Sequence, residues 1–311
     1  MPKNKILLVI LVLQICLIFV LGSKDSNFSA REASSNFLEL DFDSVNKIFI
    51  SNKTSSVDLL KRPDQKWIID GSEFPIDSEK VKNTIKKLGE LKKSLPAATT
   101  LIGAKQLGTT EESYEKKLEL KRDGKVLYTV YLGDIPSFKK VYARVEGVND
   151  TYILDLDSYS ILAESKDWAA KDLLNIEENK IKQVSFSSFS ISKVGEDFEV
   201  ENLAENEETK KQAIKEFISK IIKLNYEPVP SREKPKDFDK FKMISEFSVI
   251  TDKGESAYKI YSGSGETDYY LTHSEYPFYF QIKKPLAEYF SSIGRGSVVA
   301  EKVIEEVEKE S

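Results

Sequence analysis

A single histidine, His273, sits between Thr272 and Ser274. A Ser/His/acid triad needs its imidazole oriented by a carboxylate and paired with an activated serine. No Gly-x-Ser-x-Gly elbow occurs in the chain, and Gly263-Ser264-Gly265 has the wrong spacing for one. His273 therefore reads as a surface residue of a β-hairpin. As a phosphate loop, Gly263-Ser264-Gly265 lacks the Lys-Ser/Thr that holds phosphate and magnesium, and the helix that would supply a positive N-terminus. It reads as a turn between strands. Asp155 and Asp157 would share one face of a strand and could hold a divalent cation together with further oxygens. No calcium loop follows them, and Asp157 is placed to cap a helical segment starting at Ser158. Cys16 is the only cysteine, so neither an intrachain disulfide nor a cysteine-based metal site can form. These residues predict no catalytic centre, no cofactor and no metal.

The richest cluster is aromatic: Tyr269, Tyr270, Tyr276, Phe278, Tyr279 and Phe280. Alternation along strands sends about half of such side chains into the core. The tyrosines Tyr269, Tyr270, Tyr276 and Tyr279 form the candidate surface for a ligand or partner, either a protein, a peptide or a glycan. The positions expected to match them earlier in the chain, Tyr142 and Tyr152, are sparser, so the surface belongs to the second half.

The elements that carry these residues show an internal repeat. Gly124-x-x-x-Tyr128-x-x-Tyr131-x-Gly133 recurs as Gly254-x-x-x-Tyr258-x-x-Tyr261-x-Gly263, displaced by 130 residues at all four positions. The flanks agree: KIFI at 47–50 matches VSFS at 184–187, and KWIID at 66–70 matches DFEVE at 197–201. A helix follows each. Val81, Ile85, Leu88 and Leu91 form one apolar stripe, and Ile214, Phe217, Ile218, Ile221 and Leu224 the other. Asp77 is a natural N-cap for the first helix. Asp123-Gly124 and Lys253-Gly254 stand where hairpin turns are expected. With no βαβ alternation, the pattern predicts an α+β protein of two tandem diverged repeats. Each is a mainly antiparallel sheet with one principal helix packed on it. The expected divisions are a signal anchor or signal peptide at 1–23, a flexible spacer at 24–36 and a first repeat at 37–165. A linker at 166–176, a second repeat at 177–291 and a charged tail at 292–311 complete the chain.

Lys3 and Lys5 precede a 16-residue apolar run, Ile6 to Leu21, broken only by Gln14. That length lies between a signal-peptide core and a short membrane helix. Either reading leaves the positive end in the cytoplasm and the folded part outside, anchored to the membrane or cleaved and released. The net charge is −5, and Lys/Arg blocks beyond the N-terminus never exceed two residues. That argues against nucleic acid as a partner.

The order of several short motifs is similar to that of the bacterial DUF4340 domain proteins. The residues that carry the resemblance are Trp67-Ile68-Ile69 leading into the helix Val81–Leu91, the Leu107-Gly108 turn, and Tyr131-Leu132-Gly133 followed by Tyr142-Ala143-Arg144. The linker Trp168…Lys171-Asp172-Leu173-Leu174 before Val184-Ser185-Phe186 also fits, although Ala169-Ala170 stand where the family favours charge. The resemblance covers most of residues 40–290. It implies no established activity; its association with ABC-type transporters, including those linked to gliding motility, implies an accessory role in the envelope.

Overall fold

The computed structural model describes Gln14, residues 35–265 and residues 268–302. Apart from Gln14, the expected N-terminal helix lies outside the described residues, as do most of the spacer and the end of the tail. No helix among the described residues is long and apolar enough to cross a membrane. The fold is α+β, and every strand pairing described below is antiparallel. The chain divides into two compact units. The first runs to Asp70 and resumes over Ile76–Trp168; the second comprises Gly71–Pro75 and the chain from Ala169 onward.

In the first unit β1 (Lys47–Asn52), β2 (Ser56–Lys61) and β3 (Trp67–Ile69) form a meander. After β4 (Phe74–Pro75) comes helix α1 (Ser78–Glu90), whose Val81, Ile85 and Leu88 are buried on one face. Asp77 caps α1 as expected: its Oδ1 accepts the Lys80 N–H at 3.0 Å. β5 (Pro96–Ala98) and the short helix α2 (Leu101–Gln106) lead to β6 (Lys116–Arg122), β7 (Lys125–Leu132), β8 (Val141–Val145) and β9 (Thr151–Leu154). The strands of this unit lie in the order β3-β2-β1-β6-β7-β8-β9-β5. Asp123 and Gly124, both at positive φ (50° and 79°), make the turn between β6 and β7. The one-turn helix α3 (Ser165–Trp168) ends in Trp168, which is buried and donates its indole N–H to the Leu162 carbonyl at 2.9 Å.

The second unit opens with β10 (Ile181–Phe186), β11 (Ser190–Val194) and β12 (Asp197–Val200). β13 (Glu207–Thr209), helix α4 (Lys211–Ile222) and β14 (Glu227–Pro228) come next. They are followed by β15 (Lys242–Thr251), β16 (Gly254–Ser262), β17 (Tyr269–His273) and β18 (Tyr276–Gln281). Helices α5 (Lys284–Ser292) and α6 (Arg295–Val298) precede β19 (Val299–Glu301), which pairs with β13. The large sheet has the order β12-β11-β10-β15-β16-β17-β18-β14. Helix α4 packs on it through Phe217, whose ring lies 5.4 Å from Phe186, 6.0 Å from Phe290 and 6.4 Å from Phe247. Phe247 stacks in turn on Tyr258 at 4.9 Å.

The second hairpin turn falls one residue earlier than expected. Thr251 pairs with Gly254, so Asp252-Lys253 form the turn and Gly254 begins the strand. The Thr251 hydroxyl accepts the Lys253 N–H at 3.2 Å, which closes the turn there.

Candidate functional site

Adjacent strands β16, β17 and β18 send alternate side chains to opposite faces. The face turned toward α4 carries Tyr258, Ile260, Leu271 and Phe280, all buried. The other carries Tyr261, Tyr270 and Tyr279; Tyr261 pairs with Tyr270, and Tyr279 with Thr272. The chain before β15 folds back over this second face. Its one-turn helix Phe238–Lys240 sets the Phe238 ring 4.8 Å from Tyr279, 4.9 Å from Tyr261 and 5.3 Å from Phe241. Phe241 rests on Gly263, where a Cβ would lie 2.6 Å from the ring; only a glycine leaves that room. Met243, opposite Tyr261 in the ladder, is 46% exposed. Among the described residues no hydrogen-bond partner meets the hydroxyls of Tyr261, Tyr270 or Tyr279. The result is a half-buried aromatic patch with an exposed methionine beside it and phenol groups still able to bond.

The structure thus brings together two of the four expected tyrosines, Tyr270 and Tyr279. Tyr269 and Tyr276 project from the opposite face, because a neighbouring position or an odd spacing on a strand reverses the side. Tyr261, Phe238 and Phe241 complete the patch. Tyr261 was legible as part of the repeat; Phe238 and Phe241 carried no periodic signal because they lie in an irregular segment.

His273 corrects an expectation. It is 8% exposed rather than a surface residue. As the last residue of β17 it shares the face of Leu271, and the pairing shifts between Thr272 and His273 so that it stands opposite Tyr276. Its ring meets Tyr258 edge-on at 4.5 Å and Tyr276 at 5.1 Å. Nδ1 accepts the Glu275 N–H at 3.1 Å. Burial pushes its pKa below the ordinary 6.5, against the opposing pull of Glu275. Among the described residues no serine hydroxyl is hydrogen-bonded to the ring.

Asp155 forms an ion pair with Lys140 at 3.2 Å. Asp157 caps the one-turn helix Ser158–Ser160, accepting the Tyr159 N–H at 3.1 Å. Among the described residues no cluster of three or more His, Cys, Asp or Glu is arranged to hold a metal ion. Gly263-Ser264-Gly265 lies between β16 and β17, where the Gly265 N–H donates to Asp268 at 3.0 Å.

In the first unit several short motifs converge on one point. The Leu107-Gly108 turn lies against Gly133. Arg144, buried on β8, donates Nε to the Thr109 carbonyl at 2.6 Å and Nη1 to that of Val148 at 2.9 Å. Its guanidinium lies 5.2 Å from the centre of the Tyr131 ring. The Tyr131 hydroxyl sits between the carboxylates of Glu111 (2.6 Å) and Glu146 (3.0 Å). Burial, and then these two acids, drive its pKa up. The phenol stays protonated, so this assembly clamps a loop and offers no proton to exchange near neutral pH.

The family described as "Domain of unknown function (DUF4340)" matches residues 67–240, more than half of the chain. The chain belongs to this family. No curated protein and no solved structure matches it. The DUF4340 match begins at β3, takes in the Gly108–Gly133 contact and the Arg144 clamp, passes through Trp168 and α4, and ends at the one-turn helix carrying Phe238. Phe238 therefore lies inside the DUF4340 span, whereas Tyr261, Tyr270 and Tyr279 lie beyond it.

Proposed function

We propose that this DUF4340 protein is a non-enzymatic accessory protein of the cell envelope that binds a protein partner through the aromatic face of its second unit. The carrying observation is the patch of Phe238, Tyr261, Tyr270 and Tyr279 beside the exposed Met243. Aromatic residues and methionine are enriched at the centres of protein interfaces, and phenols can bond to a partner's main chain. The resemblance to proteins associated with ABC-type transporters points to a transport or motility complex as the partner. The apolar run of residues 6–21 behind Lys3 and Lys5 supports an extracytoplasmic location, either anchored or cleaved. Co-purification from detergent tests this reading. The full chain should bring down ABC-transporter subunits, and a Phe238→Ala, Tyr279→Ala double variant should not. A protein that purifies alone would overturn it, and resistance in intact cells to protease added outside would overturn the location.

The two units read as a duplication. Position for position, β3-β2-β1-β6-β7-β8-β9-β5 corresponds to β12-β11-β10-β15-β16-β17-β18-β14, with α1 and α4 in the same place along the chain. Counting from the two hairpin turns, Leu118 corresponds to Phe247. Its partner Val130 then corresponds to Tyr258, and its partner Ile50 to Phe186. The Gly-x-x-x-Tyr pattern is thus offset by two residues between equivalent strands. A register shift between Leu120 and Lys121 in the first hairpin contributes to that offset. An even offset keeps each tyrosine on its face, whereas the odd offset of KIFI against VSFS needs moving by one residue.

A further inference from the structure

A cleft of about 280 Å³ opens in the second unit, lined by the chain from Leu173 to Glu177, the β15–β16 turn and the β17–β18 turn. His273 and Tyr258 form its floor and Tyr276 one wall. Tyr258 is 1% exposed and His273 8%. The imidazole Nδ1 accepts a backbone N–H from Glu275. It can do so only without a proton, so the neutral ring carries its hydrogen on Nε2. Among the described residues nothing hydrogen-bonds to Nε2, to the Tyr258 hydroxyl or to the Tyr276 hydroxyl. None of these three polar atoms is sealed from solvent, so each faces the cleft with bonding capacity to spare. They are therefore groups that a small molecule, or the water it displaces, would satisfy.

The chemistry of the walls narrows the ligand. Leu173, Leu174 and Ile176 supply apolar surface, and Tyr276 offers a half-buried ring. Acids Glu177, Asp252 and Glu275 outnumber bases Lys180 and Lys253, and Asp252 already pairs with Lys182 at 2.9 Å. An anion gains little there. A neutral ring with one apolar face and several hydroxyls meets every feature. Its apolar face lies on tyrosine, and its hydroxyls bond the phenols, Nε2 and the Glu275 carboxylate. We infer that this cleft binds a neutral monosaccharide. The site is separate from the aromatic patch, and it holds or fails independently of the partner proposed there.

The only histidine in the chain gives an unambiguous reporter. The ring resonances of His273 are followed in the full-length protein by carbon–proton correlation NMR. D-glucose, D-galactose, D-mannose and N-acetyl-D-glucosamine are titrated in turn, with sodium acetate as the anionic probe. At least one sugar should produce a saturable shift while acetate does not. Tyr276→Phe, which removes only a hydroxyl, should weaken that binding about tenfold, the equivalent of one hydrogen bond. Phe238→Ala should leave it unchanged. No saturable shift with any of the four sugars, a response to acetate in their place, or undiminished binding in Tyr276→Phe would each overturn the assignment.

Discussion

The backbone of Gly133 passes so close to that of Gly108 that a methyl group on Gly133 would lie 2.6 Å from the Gly108 carbonyl oxygen. The Gly133 N–H is bonded to the Tyr142 carbonyl at 2.8 Å, and the Asp134 N–H to that of Leu107 at 3.2 Å. The contact ties the loop before β6 to the end of β7. Gly133→Ala should destabilise the first unit by about 2–3 kcal/mol, the cost of forcing a methyl into packed space. Denaturant unfolding would measure this, and a loss within about 0.5 kcal/mol, as at an ordinary surface site, would show that the loop moves aside freely.

Arg144 holds the same loop through the Thr109 carbonyl and ties down the turn after β8 through that of Val148. Arg144→Lys keeps the charge but loses the planar fork. The expected loss is about 1.5–3 kcal/mol, the range for hydrogen bonds to a charged group. A variant as stable as the parent would show that charge alone suffices.

Phe74 lies early in the sequence but belongs to the second unit, where its ring is 4.6 Å from Phe278 and 6.3 Å from Phe280. Phe74→Ala should cost about 3–5 kcal/mol as a large-to-small change in a core. Hydrogen exchange gives the sharper check: amides of β18 should lose protection while those of β7 keep theirs. Equal loss in both strands would contradict the assignment of Gly71–Pro75.

His273 makes stability depend on pH with a definite sign. Its folded pKa lies below the ordinary 6.5, so the unfolded chain takes up the proton more readily. The stability this contributes is complete above pH 6.5 and declines as pH falls toward the folded pKa. Tyr258, Tyr276 and Glu275 face the ring, and among these only the carboxylate favours the charged form. The parent's Tm should therefore drop relative to that of His273→Gln between about pH 7.5 and about pH 5.5. Parallel curves would show that the imidazole is not desolvated.

Helix and strand types were legible in the sequence because their signals are local. The stripes Val81-Ile85-Leu88 and Ile214-Phe217-Ile218-Ile221 have helical spacing, and both are buried. Asp77 and Asp157 cap the segments that follow them. A carboxylate one residue before a turn of helix meets the free N–H groups whatever the rest of the chain does. The family was legible for a related reason: its motifs are short contacts repeated in a set order along the chain.

Position in space was legible only in part. Strand alternation puts Tyr270 and Tyr279 on one face, whereas the expected surface also took in Tyr269 and Tyr276, which project from the other. Alternation does not settle which loop covers the face of Tyr270 and Tyr279. Phe238 reaches Tyr261 and Tyr279 through an irregular segment with no period to read. The burial of His273 turned on one register shift beside a two-residue turn. Phe74 joined the second unit through contacts with residues some two hundred positions later. The sequence by itself determined the antiparallel α+β class, the helix faces, their caps and the family. The tertiary structure alone decided the aromatic patch, the cleft over His273 and the placement of Gly71–Pro75. The physical reason is that capping and periodicity are decided within a few residues, whereas burial and register depend on packing between segments far apart in the chain.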